Sequence, residues 1–210
     1  MLKTNPLIQF AGIPVSGSEV KSVFSHLAAS EKKVQALERS GELIRLRRSL
    51  FVVNSQLTGR DTDPRLCANH IYGPSYVSLQ WALSFYGMIP EGVRRITSVT
   101  TKRSRVFDTP MGIFSYMQVP TAYFPIGVES VASGGVNFLM ATREKALCDT
   151  IQYDSFVPPQ SIKALAVYLE EDMRMDMDIL SELDPQIIEE CAHAGRKTRI
   201  LLNLVKLIKQ

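Results

Sequence analysis

The chain has 210 residues, of which 45 % are hydrophobic and 21 % charged, and a formal net charge of +3. That composition excludes a disordered chain and is long enough to bury one large core or two smaller ones. No run of about 18 apolar residues occurs, which argues against a membrane-spanning helix, and the start MLKTNPLIQF has too short an apolar run for a signal peptide, so a cytoplasmic location and no membrane partner are expected.

The first stretch, residues 1–55, reads as two short helices and a ribbon. Gly17-Ser18 followed by EVKSVFSHLA predicts a helix capped by Ser18, with Val20, Val23, Phe24 and Leu27 as its apolar stripe. Ala28-Ala29 makes a turn. Ser30 is then placed to cap a second helix, although Lys33 stands where a capping-box glutamate would be. Val34 and Leu37 point inward, and Gly41 ends the helix in the left-handed conformation that glycine tolerates. ELIRLRRSLFVV predicts two strands turning near Arg48-Ser49, with Ile44 and Leu46 on one face and Arg45 and Arg47 on the other. This is the pattern of a winged helix-turn-helix. Residues 1–60 hold nine basic and four acidic residues, a net +5, so this end alone exceeds the excess of the whole chain. A basic end on a near-neutral body suits a phosphate-binding module.

A polar stretch from Asn54 to Arg65 marks a boundary or a long surface loop. Residues 66–210 then read as a mixed α/β body ending in helices. LCANHIYG and SYVSLQWALSFYG predict consecutive helices, with Ser75 or Ser78 as a cap. RRITSVTTKRSRVF predicts one strand with a basic end, and GIFSYMQVP and VNFLMA predict further strands, the last preceded by a turn at Gly134-Gly135. Thr142 caps REKALCDTIQ. The last sixty residues predict helices in SIKALAVYLEE, DMRMDMDILSEL, PQIIEECAHAG and RKTRILLNLVKLIKQ. The fold class expected is therefore α+β, with residues 1–55 and 66–210 as two domains.

Few residues suggest catalysis. His26, His70 and His193 fall on three separate predicted helices, and no serine or cysteine sits in a glycine-framed turn beside one, so no nucleophile triad is expected. Cys67, Cys148 and Cys191 are odd in number and widely spaced, which predicts buried thiols rather than disulfides or a zinc site. Neither H-E-x-x-H nor a phosphate-binding G-x-x-x-x-G-K loop is present. Glu170, Glu171, Asp172, Asp176 and Asp178 lack the glycine and spacing of a calcium loop and read as a solvated face, with Met173, Met175 and Met177 as packing. A nuclease built on Asp108, Glu144 or Asp149 would need those carboxylates to converge on a metal. No catalytic residue, metal ligand or cofactor is expected.

Positive charge remains, in two places. Lys32, Lys33, Gln35 and Arg39 lie on the outer face of the second helix, and Arg45, Arg47 and Arg48 on the ribbon. In a helix-turn-helix the second helix enters the major groove; Arg and Gln suit base edges, lysines near the helix start suit phosphates, and wing arginines reach the minor groove or backbone. The same charges would also suit an acidic protein partner. Arg94, Arg95, Lys102, Arg103 and Arg105 form a second group, with no acid between Gly92 and Phe107. It reads as a further nucleic-acid contact, a protein-binding surface, or a charged rim that keeps an edge strand from pairing.

Three segments occur in the order found in one family: RSGELIRLRRSLFVV; ANHIYGPSYVSLQWALSFYGMIPEGVRRITSVTTKRSRVFDTPMGIFSYMQVP; and GGVNFLMATREKALCDTIQ. Tyr72-Gly73-Pro74-Ser75-Tyr76-Val77-Ser78 is the most specific piece. Over roughly residues 30–152 the chain resembles the AbiEi antitoxin family of type IV (abortive-infection) toxin–antitoxin systems. The resemblance implies an amino-terminal winged helix that binds double-stranded operator DNA, with Ser30 to Ser40 as recognition helix and Glu42 to Val53 as wing. It also implies an antitoxin domain over about 66–210, repression of its own operon, and a nucleotidyltransferase-like toxin as partner. It supplies no catalytic residues. Where the family usually has glycine at the wing turn this chain has Ser49, which implies a more open turn. Little sequence precedes Ser18, which implies a short first helix whose DNA contact needs a homodimer or the group from Arg94 to Arg105. The alternative reading is a protein-interaction module that uses the same basic surfaces and binds no DNA.

Overall fold

A computed structural model describes residues 5–154 and 161–209. Lys3, one of the basic residues counted above, and Gln210, the end of the last predicted helix, lie outside them, as does 155–160 within the predicted helical end. The chain is a mixed α+β protein with two sheets.

The small sheet comes first. A 3-10 turn (Pro6–Phe10) leads to β1 (Val15–Ser16), α1 (Gly17–Val23), α2 (Ser30–Arg39), β2 (Leu43–Arg47) and β3 (Leu50–Val53), with strand order β1-β3-β2, all antiparallel. Ser16, not Ser18, caps α1: its hydroxyl accepts the Glu19 N–H while the Glu19 carboxylate accepts the Ser16 N–H at 2.7 Å, a reciprocal capping box. α1 stops at Val23, so Leu27 is exposed and His26 sits in a turn. Ala29 rather than Ser30 occupies the cap position of α2, with no side-chain bond. Gly41 takes φ 77° as expected.

The β2–β3 turn is tighter than the absent glycine implies. Arg47 pairs with Leu50, so only Arg48 and Ser49 lie between the strands, and Ser49 itself enters the left-handed region at φ 59°. The alternation along β3 divides it between two cores. Phe51 and Val53 join Leu7, Val20, Val34 and Leu37 in a small cluster, whereas Leu50 and Val52, with Leu46 of β2, enter the large one. β3 is thus buried on both faces. The polar stretch after it is ordered: α3 (Ser55–Thr58) and a buried Thr62 precede α4 (Pro64–Ile71), which Asp63 caps.

The second sheet has six strands in the order β6-β7-β5-β4-β9-β8. They are β4 (Ser75–Val77), β5 (Ile96–Thr100), β6 (Arg105–Thr109), β7 (Gly112–Gln118), β8 (Val128–Ser133) and β9 (Val136–Ala141). β4 corrects the expectation of a helix at SYV. Gly73-Pro74 ends α4, and the next three residues pair antiparallel with β5 and parallel with β9, wholly buried. The helix resumes only as α5 (Leu79–Phe85), with Ser78 at its cap position. The predicted single basic strand is two, β5 and the edge strand β6, broken at residues 101–104. β8 and β9 form a hairpin on Gly134-Gly135, both at positive φ, with Ser133 opposite Val136.

Thr142 caps α6 (Arg143–Tyr153), as expected. α7 (Ile162–Val167), a π turn (Tyr168–Asp172), a 3-10 turn (Met177–Glu182), α8 (Pro185–Ala194) and α9 (Thr198–Ile208) complete a helical layer around α6. Met175 is buried and Met173 and Met177 pack half-buried on the core, whereas the five neighbouring acids are exposed. Among the described residues no helix is long and apolar enough to cross a membrane.

Candidate nucleic-acid interface

The outer face of α2 is open to solvent: Lys32, Gln35 and Arg39 are exposed, and Lys33 is half-buried with Nζ 5.7 Å from the Phe24 ring centre. The two acids of this helix are already matched. Glu31 pairs with Lys21, and Glu38 accepts two hydrogen bonds from the Arg45 guanidinium, one of them Nε to Oε1 at 2.6 Å. That pairing holds the Glu38 carboxyl below its usual range. Lys32, Lys33 and Arg39 form no ion pair among the described residues, so the helix presents uncompensated positive charge.

The ribbon arginines separate into two kinds. Arg45 is tied to Glu38 and lies over the Phe51 ring at 4.8 Å. Arg47 and Arg48 are exposed, carry no ion pair among the described residues, and stand at the turn.

The second basic group does not stay together. Arg94 and Arg95 precede β5, whereas Lys102 and Arg103 follow it and Arg105 opens β6. Because β5 runs between them, the group is divided over opposite ends of a strand. Arg94 lines a cleft with Asp63, Arg65 and Trp81. Arg103 is exposed. Lys102 and Arg105 instead meet the hairpin: β2 lies against α4 and β6, and Arg47, Arg48, Lys102 and Arg105 line one cleft of about 400 Å³ with Ile71, Tyr72, Gly73 and Phe107. No acid lines it. Lys102 Nζ donates to the Gly73 carbonyl and sits 5.3 Å from the Tyr72 ring centre, and the Arg105 guanidinium lies 4.8 Å from the Phe107 ring centre. Tyr72, Phe107 and Tyr116 pack as a triplet with centroids 5.3–5.7 Å apart. Sequence reasoning missed Tyr72 and Phe107 as site residues. No spacing rule joins a residue after α4 to one on β6.

The carboxylates named for a nuclease do not converge. Asp108 is exposed on edge strand β6, and Glu144 accepts the Asp184 backbone N–H. Asp149 is fully buried with Lys145, Oδ1 to Nζ 3.6 Å. Around that pair, Ser78 donates to Asp149 Oδ2 at 2.6 Å and Lys145 Nζ donates to the Tyr123 carbonyl at 2.8 Å. Burial pushes the Asp149 carboxyl up and the Lys145 ammonium down. None of these side chains reaches solvent, and the pair ties α6 to Ser78 at the start of α5 and to Tyr123. Among the described residues no three His, Cys, Asp or Glu side chains gather as a metal site.

No protein-family model matches the chain, and no curated protein matches it by sequence.

Proposed function

We propose that the chain is a DNA-binding antitoxin of the AbiEi type that represses its own operon and counters a nucleotidyltransferase-like toxin in the cytoplasm. In this reading residues 1–55 are a winged helix-turn-helix, α2 enters the major groove, and the β2–β3 turn is the wing. Residues 66–210 are the antitoxin domain, and the protein has no enzyme activity.

One observation supports it above the rest. α2 and the hairpin turn expose Lys32, Gln35, Arg39, Arg47 and Arg48, with Lys33 half-buried beside them, while the acids Glu31 and Glu38 are matched by Lys21 and Arg45. Duplex phosphates would supply the missing negative charge. Two helices ahead of a short hairpin is also the order of elements that such modules use.

The test is fluorescence anisotropy with a labelled duplex taken from upstream of the gene. Binding stronger than to a scrambled duplex is expected, with log affinity falling linearly in log salt, by about 0.9 for each phosphate neutralised. Equal, salt-independent or absent binding to both duplexes rejects the reading. Co-purification with the product of the adjacent gene tests the antitoxin half.

A further inference from the structure

The cleft between the hairpin turn and the large sheet is unlike the α2 face. It is a concavity, and it combines two chemistries. Four cations, Arg47, Arg48, Lys102 and Arg105, line it with no carboxylate. None of the four makes an ion pair among the described residues. Beneath them, Tyr72 and Phe107 are half-buried, with tilted rings 5.5 Å apart, and Ile71 closes the floor. Its volume of about 400 Å³ falls in the range of small-ligand sites, roughly 300–1,000 Å³.

Guanidinium and ammonium groups held apart from acids bind the oxygens of phosphates and carboxylates. Aromatic rings beside them select a planar, π-faced group. A phosphate joined to a flat base satisfies both halves. Bases inside a duplex are stacked on each other and cannot lay a face on Tyr72 or Phe107. We propose that this cleft binds a free nucleoside phosphate, with its phosphates among Arg47, Arg48, Lys102 and Arg105 and its base against Tyr72 and Phe107. The nucleotide would then hold the same two turn arginines that the DNA-binding reading assigns to the wing. Its occupancy would compete with operator DNA, and this regulatory consequence alone rests on that reading.

The experiment uses the full chain without DNA, so its outcome is independent of operator binding. A fluorescent nucleoside diphosphate is titrated by anisotropy, then displaced with unlabelled nucleoside diphosphate, pyrophosphate, the bare nucleoside and a short single-stranded oligonucleotide. The expected order has the nucleoside diphosphate displacing best, pyrophosphate at least about tenfold weaker, and the nucleoside not at all. Lys102→Ala with Arg105→Ala should weaken nucleotide binding by about tenfold or more. Phe107→Leu, which keeps an apolar side chain on the half-buried position, should weaken the nucleotide but not pyrophosphate. Circular dichroism confirms the fold of each variant, and Arg105→Gln replaces the double variant if that one unfolds. Absence of nucleotide binding overturns the proposal. So does binding unchanged in the Lys102 and Arg105 variants, pyrophosphate equal to the nucleotide, or an oligonucleotide that displaces better than the mononucleotide.

Discussion

Glu38 near the end of α2 and Arg45 in β2 close a two-point ion pair across the corner between helix and hairpin, and Arg45 rests on Phe51 beneath it. Arg45 is therefore a structural arginine, although its neighbours in sequence, Arg47 and Arg48, are free of acids. Arg45→Ala should cost stability, by less than about 1 kcal/mol because both partners are partly exposed. Arg47→Ala with Arg48→Ala should leave thermal stability unchanged and lower DNA affinity for all sequences, reducing the salt slope by about 2. Melting curves and salt titrations of both variants check this; a double variant that binds as the parent does removes the wing from the DNA contact.

Asp63 caps α4 and holds Arg65, whose guanidinium reaches the rings of Phe138, Phe85 and Trp81. Burial opposes the ionised Asp63 carboxylate, but hydrogen bonds from the Arg65 side chain and backbone outweigh it and keep its pKa below the usual carboxylate range. A lowered native pKa adds stability that is complete above the unfolded value of about 3.9 and disappears as pH falls through the native one. Asp63→Asn should thus cost about 1–2 kcal/mol at neutral pH and progressively less in acid. Denaturant unfolding across a pH series measures the difference, and a constant gap from neutral to strongly acidic pH contradicts it.

Lys145 and Asp149 share one turn of α6, with no solvent exposure. Removing either leaves the other buried without its counter-charge. Lys145→Met or Asp149→Leu should each cost about 3–5 kcal/mol, and the double substitution clearly less than their sum, because a buried pair replaced by apolar groups is close to neutral. A double-mutant cycle in urea reads this directly; simple additivity would mean the two charges do not depend on each other.

Cys67, Cys148 and Cys191 are all buried, and burial pushes the Cys67 thiol up to about 12. The thiolate is the reactive form. The folded protein should give no fast reaction of Cys67 with a thiol reagent from neutral pH to about pH 9, and all three should react at once in denaturant. Mass mapping of the first labelled peptide tests it, and rapid native modification at Cys67 would refute the packing around α4.

Much of the local structure was legible because its signals are local. Gly41, Gly134-Gly135 and Thr142 each act within a few residues of themselves, and the structure places them as a helix end, a hairpin turn and a helix cap. Ile44 and Leu46 do face the large core, but the ladder shifts register between Arg45 and Arg47, so these two arginines do not share a face: Arg45 lies over Phe51 and Arg47 lines the cleft beside Tyr72. The failures share a cause. Ser75–Val77 looks helical beside LQWALSF, but its backbone is claimed by β5 on one side and β9 on the other. RRITSVTTKRSRVF looks like one strand because nothing local shows that β7 inserts between β5 and β6.

The same division holds for the candidate site. Residue order and spacing were enough to put positive charge on α2 and on the ribbon, since a helix face and a strand face are set by periods of 3.6 and 2 residues. Which cations would be neutralised was a matter of packing: Glu38 reaches Arg45 only because the chain folds back after Gly41. Likewise Lys102 and Arg105 join Arg47 and Arg48 only because β2 lies against the edge strand β6. Contacts between residues distant along the chain depend on the register and docking of whole elements, and those follow from the burial of both cores together.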